Sequence, residues 1–356
     1  MTATEQAPVS DSAPTELSMA ERFQRAAFTA LAAVPGGLLR RIAPRVVNAD
    51  GDVMAPEIAL LMSLSANAPD FSDGTPEEAR AIMATDCRVF ADDAPQVDVD
   101  PDIVLPGGLR ASLYRPAVQS NGLVLFLHGG GFVLGSRADY DVPARLIAAG
   151  AGVSVLSVEY RLAPESPFPV PVEDAVQAWR FAVEQCSRWG VDAGRIVLLG
   201  DSAGGNLCAV LANEVAGEDV QPLLQVLMYP VVDVAGEYPS RREFADNFAL
   251  SWKQIDWFTG HYLADSDDRL DTRISPILAE DLSGAPPTLI TVAGFDPLRD
   301  EALAYAERLE HAGVPVRVFR EGGLVHGYIS MTRTSPAARA AVDRVTGAIR
   351  TILKGI

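Results

Sequence analysis

The 356-residue sequence predicts an α/β fold in which a mostly parallel central sheet is flanked by helices. Two observations carry this expectation. From Gln96 onward, short β-rich runs alternate with helical patterns, and strand-helix-strand repetition with right-handed crossovers builds a parallel sheet covered on both faces. Glycine-rich stretches also come directly after two of the apolar runs, and an open α/β sheet gathers its ligands there, beyond the carboxyl ends of its strands.

The elements follow in order. Residues 1–17 mix Thr, Ser, Pro and acidic side chains without apolar periodicity and read as a flexible tail. Residues 18–90 read as helical and as an appendage, with Pro76-Glu77-Glu78 resembling the first turn of a helix. Two β-rich runs come next, Gln96 to Val104 and Leu109 to Arg115. Buried strands are then expected at Leu123 to Leu127, Val153 to Val158, Arg195 to Leu199, Leu224 to Tyr229, Thr288 to Val292 and Val316 to Phe319. Val172, Ala175, Val176, Trp179 and Val183 share one face of a crossover helix. After Phe319 a loop over Arg320 to Gly327 is expected.

Composition limits the classes of function. A formal charge of -18, with 47 acidic against 29 basic residues, argues against nucleic acid as a partner, because phosphate binding needs clustered Lys and Arg. Cys87, Cys186 and Cys208 are odd in number and show no CxxC spacing, so neither a disulfide framework nor a zinc site is expected. No secretory signal is visible at the N-terminus, and the apolar stretch Ala26 to Leu39 is broken by Pro35-Gly36-Gly37. A cytoplasmic protein without stable membrane insertion or a metal site is therefore expected.

The chemistry concentrates behind the strands. Arg195 to Leu199 runs into Gly200-Asp201-Ser202-Ala203-Gly204-Gly205 and then into an apolar helix. A serine at such a tight strand-to-helix turn has its hydroxyl forced out over the sheet edge, at the positive end of the next helix. Its competing reading is a helix N-cap. Leu123 to Leu127 ends in His128-Gly129-Gly130-Gly131-Phe132, whose bare amides suit a developing oxyanion, and the Ala203 amide beside Ser202 should complete that hole. A phosphate cradle is disfavoured because no Lys-Ser or Lys-Thr pair follows.

Of four histidines, His128 reads as a brace of its loop, His261 lies in a helix-like aromatic stretch, and His311 sits near a helix C-terminus. His326 alone follows the last strand, and is the expected general base. Its orienting carboxylate is expected to be Asp296, directly after a strand and before Pro297, which is expected to open a helix; Asp233 is the second candidate.

These motifs together resemble the hormone-sensitive-lipase-like branch of the α/β-hydrolases, bacterial esterase family IV, over about residues 95–350. The resemblance rests on residues 128–132, on Tyr160-Arg161-Leu162-Ala163-Pro164-Glu165, on residues 200–205, on Asp296-Pro297-Leu298-Arg299-Asp300-Glu301 and on His326-Gly327. It implies an α/β-hydrolase catalytic domain over residues 91–356 that cleaves short to medium acyl esters, without a cofactor, through Ser202, Asp296 and His326 and an acyl-enzyme. It further implies oxyanion donors at Gly130, Gly131 and Ala203, and a helical cap built from residues 18–90 and an insertion at about 233–280. Phe248, Trp252, Ile255 and Tyr262 share a helical face in that insertion; Phe132, Phe248, Trp252 and Tyr328 are the expected substrate contacts. Members of the branch often carry Phe where this chain has Tyr328. An edge-strand homodimer is open to such a chain. Rival readings are a non-catalytic small-molecule-binding protein, against which His326 argues, and a hydrolase of amides, lactones or carbonates.

Overall fold

The computed structural model of the chain describes residues 17–66, 68–246, 249–264 and 267–355, so residues 1–16 of the expected tail lie outside the described residues. Eight strands form one sheet: β1 (Asp98–Val104), β2 (Arg110–Arg115), β3 (Leu123–Leu127), β4 (Ser154–Glu159), β5 (Ile196–Asp201), β6 (Leu224–Met228), β7 (Thr288–Phe295) and β8 (Val316–Val325). Their order is β1-β2-β4-β3-β5-β6-β7-β8, antiparallel at β1/β2 and β2/β4 and parallel from there on.

Continuous apolar runs become the central strands because both faces of the sheet are covered. In β3, Leu123, Leu125 and Leu127 enter one core while Val124 and Phe126 enter the other. Strand alternation thus divides a single apolar run between two layers. The first core receives α6 (Val170–Trp189), α7 (Ala203–Glu214) and α10 (Arg299–His311); the second receives α5 (Asp141–Ala151) and α11 (Pro336–Lys354). On α6, Val172, Ala175 and Trp179 are buried as their spacing predicts, and Val176 and Val183 pack at its margin.

The N-terminal appendage is helical, with α1 (Met19–Ala32), α2 (Gly36–Ile42), α3 (Pro56–Ser65) and α4 (Pro76–Phe90). Thr75 closes the start of α4 by a reciprocal capping box with Glu78, and Pro76 occupies the position where its missing N–H costs nothing. Between β6 and β7 lie α8 (Pro239–Glu243) and α9 (Trp252–Tyr262). The 3-10 turn Phe71–Asp73 meets α9: the Phe71 ring packs on Trp257 and Phe258, and Gln254 Nε2 donates to Asp70. No helix among the described residues is long and apolar enough to cross a membrane.

The end of the chain departs from expectation. The run expected to be a loop after Phe319 is still strand as far as Val325. Its pairing with β7 jumps from Ala293↔Glu321 to Phe295↔Val325, so β8 accommodates two surplus residues without losing its partner. Backbone pairing to the appendage supports the shifted stretch, since Ala55 N donates to Gly323 O. A helix at 336–354 was likewise not isolated from the sequence, yet its apolar stripe Ala338, Ala341, Val342, Val345 and Ile349 is buried.

Candidate active site

Ser202 occupies the tip of the turn between β5 and α7, with φ 53° and ψ -119°, a region that L residues avoid. The turn is possible because Gly200 and Gly204, two residues to either side, lack side chains. A Cβ on Gly200 would run into the Gly204 carbonyl, and one on Gly204 into the carbonyls of Leu127 and His128. The Ser202 side chain makes no capping bond to α7. Its Oγ lies 2.9 Å from His326 Nε2.

His326 follows β8 directly, and its Nδ1 lies 2.8 Å from Asp296 Oδ2. Asp296 is fully buried and uses both oxygens, because Oδ1 accepts the Leu298 N–H at 2.9 Å. That bond closes a turn and does not cap the helix, which opens at Arg299 instead of Pro297 with Leu298 at its N-cap position. Asp233, the second candidate, is spent on its own turn: Oδ1 accepts from Ala235 and Gly236, and Oδ2 accepts the Tyr238 hydroxyl at 2.6 Å. His128 is buried, its ring stacks on Tyr140 and Tyr160, and burial lowers its pKa, so it stays neutral and braces its loop. His261 stands edge-on to Trp257, and His311 contacts Glu307 O at the end of α10.

Three glycines behind β3 do different things. The Gly129 N–H is already used, donating to Asp201 Oδ1 at 2.8 Å. Among the described residues no acceptor pairs with the amides of Gly130, Gly131 or Ala203. Gly131 has φ 60°, and a Cβ there would strike the Phe258 ring, which fixes α9 directly over the loop.

The expected substrate contacts fare unevenly. Phe132 stacks on Tyr262 with centroids 3.8 Å apart, beside Gly131. Phe248 lies outside the described residues. Trp252 is 43% exposed and lies under the Arg241 guanidinium, the contact that defines its place on α9. Tyr328 must be corrected: it is fully buried, its hydroxyl bonded to Thr291 at 2.7 Å and its ring set edge-on against Tyr229, so it belongs to the core beneath the histidine.

Three residues were missed. Tyr229, at φ 37°, sets its ring edge-on to His326 at 4.9 Å. Phe258 covers Gly131. Asp201 joins the Ser202 turn to the glycine loop and accepts the Tyr140 hydroxyl at 3.1 Å through Oδ2; burial raises its pKa to about 6. Only Asp201 had a signal, as an acidic residue within an otherwise apolar and glycine-rich run.

Residues 124–330 match the family model described as the alpha/beta hydrolase fold. The carboxylic ester hydrolase LipN of Mycobacterium tuberculosis (strain ATCC 25618 / H37Rv) is 40% identical over 329 residues, covering 88% of this chain and 87% of its own. The ethyl acetate hydrolase of Pseudomonas putida is 38% identical over 72% of this chain and 83% of its own. Among solved structures, ester-hydrolase EH1AB1 from the metagenome of Lake Arreo, complexed with a derivative of bipyridine phosphonate, superposes with a TM-score of 0.79 at 35% identity, over 84% of this chain and 98% of its own. The chain belongs to the α/β-hydrolase family, and within it to the hormone-sensitive-lipase-like carboxylesterases. Its class of reaction is carboxylic ester hydrolysis.

Proposed function

We propose that the protein cleaves short to medium acyl esters through an acyl-enzyme on Ser202. The continuous hydrogen-bonded line from Ser202 Oγ through His326 to Asp296, at 2.9 and 2.8 Å, carries this reading. His326 Nε2 takes the hydroxyl proton as Oγ attacks the acyl carbonyl, then gives it to the departing alcohol. Asp296 fixes the tautomer that leaves Nε2 free to accept, and stabilises the imidazolium as it forms. The charge developing on the carbonyl oxygen falls to the amides of Gly130, Gly131 and Ala203, with the N-terminal end of α7 adding to the same field. Water then repeats the sequence on the acyl-enzyme.

The helices of residues 18–90 and the insertion at about 233–280 act in this reading as the cap. Phe71, Trp257 and Phe258 form its aromatic underside over the glycine loop, a surface suited to excluding water from the acyl group. The similarity to an ethyl acetate hydrolase supports small esters as substrates. Turnover of p-nitrophenyl butyrate tests the reading. Ser202→Ala should lose roughly a thousandfold or more of kcat and no longer be labelled by an alkyl phosphonate. Undiminished turnover in that variant overturns the assignment.

A further inference from the structure

We propose that the outer face of α1 and α2 docks the protein onto anionic lipid membranes. Between Glu21 and Asp50 the sequence holds five arginines, Arg22, Arg25, Arg40, Arg41 and Arg45, and no acidic residue, in a chain whose net charge is -18. Local charge is thus opposite to that of the molecule. Arg25 leans toward Asp93 at 4.0 Å, whereas Arg40, Arg41 and Arg45 are exposed at the surface.

Apolar side chains project from the same segment. On α1, Met19, Phe23, Ala26 and Ala30 recur at helical spacing along one exposed stripe, with Met19 88% and Phe23 76% accessible. The opposite stripe is the one that packs inward, where Phe28 stacks on Phe90 of α4 at 4.7 Å. Helix α1 therefore has one apolar face in use and a second facing solvent. Leu38 and Ile42 on α2 are 50% and 59% exposed and alternate with Arg40 and Arg41. A cleft along α1 is lined by Ala26 and Ala30 together with Arg22, Arg25 and Arg333.

Aliphatic and guanidinium groups interleaved on short surface helices suit a headgroup layer. The guanidinium meets lipid phosphate while the neighbouring side chain enters the acyl boundary. The acidic remainder of the surface would be held off the same membrane, which fixes orientation as well as affinity. Such docking is peripheral and reversible, and it presents the N-terminal helices to the source of a lipid ester.

Co-sedimentation of the full chain with vesicles tests this. Vesicles of phosphatidylcholine containing roughly 30 mol% phosphatidylglycerol should retain the protein at low salt, and pure phosphatidylcholine should not. Bound protein should fall as salt rises. Arg40→Glu with Arg41→Glu and Arg45→Glu should cut the bound fraction about tenfold or more, and Phe23→Ser with Ile42→Ser should do the same. Unchanged circular dichroism and melting temperature in both variants show that they fold, and keep this result separate from any failure of the hydrolytic reading. Absence of binding, or binding indifferent to both sets of substitutions, overturns the proposal. So does a dimer in solution that these substitutions dissociate while vesicles bind nothing, which assigns the face to a second copy.

Discussion

Asp201 shows how one buried carboxylate can hold two loops of a site together. It precedes Ser202, and its two oxygens are taken by the Gly129 amide and the Tyr140 hydroxyl. With Gly129 anchored, the amides of Gly130 and Gly131 keep the positions that the proposed mechanism assigns to oxyanion donors. Asp201→Ala should therefore release the loop and lower kcat by up to about a hundredfold, as losing a donor does, with little change in KM. Asp201→Asn keeps an acceptor for Gly129 and should recover most of that loss. An Ala variant with wild-type kcat would show that the loop stands without this bond. That Ser202, His326 and Asp296 would meet was legible because chain order and strand position restrict the candidates to a few residues. Tyr328 was misread because nothing in a sequence distinguishes a tyrosine beside a site from one sealed under it by Thr291 and Tyr229.

At the scale of the element, α9 is the piece whose placement the sequence could not provide. Its aromatic spacing was readable, but which ring would meet the glycine loop depends on how Ser251 caps the helix and how Gln254 ties it to Asp70. The answer is Phe258, and Trp252 lies at the other end beside Arg241. Phe258→Ala should widen the space above Gly131 and raise kcat/KM for p-nitrophenyl octanoate relative to acetate by about tenfold, the value of a methylene or two of added fit. An acyl-length profile that does not move would place Phe258 outside the acyl path. Six of the eight strands were legible to within two residues, since a sheet buried on both faces leaves unbroken apolar runs, whereas β7 and β8 run three and six residues past their expected ends at Val292 and Phe319.

Across the whole molecule, burial and pairing push carboxylates in opposite directions. Burial raises Asp201 from 3.8 to about 6 and Glu301 from 4.5 to about 7, Glu301 against the pull of its ion pair with Arg241 at 2.5 Å. These two bind protons more tightly when folded, so their stability penalty is absent below their unfolded values, grows as pH rises from there to about 6 and 7, and is constant above. Asp50 and Asp271, lowered first by hydrogen bonds from Arg320 and Arg273, stabilise above 3.8 and lose that contribution as pH falls. The melting temperature should accordingly peak near about pH 5 and decline toward about pH 7, with a smaller decline in Asp201→Asn. A melting temperature that rises steadily from pH 5 to pH 8 contradicts this balance.

The two surplus residues in β8 also give the site an odd-even rule. Side chains along a strand alternate sides, so taking one residue from Gly322-Gly323 would turn the imidazole of residue 326 to the far side of the sheet, and taking both would return it to the near side on a shorter tether. An enzyme silenced by the single deletion and partly revived by the double one would mark that stretch as the spacer that aims the base.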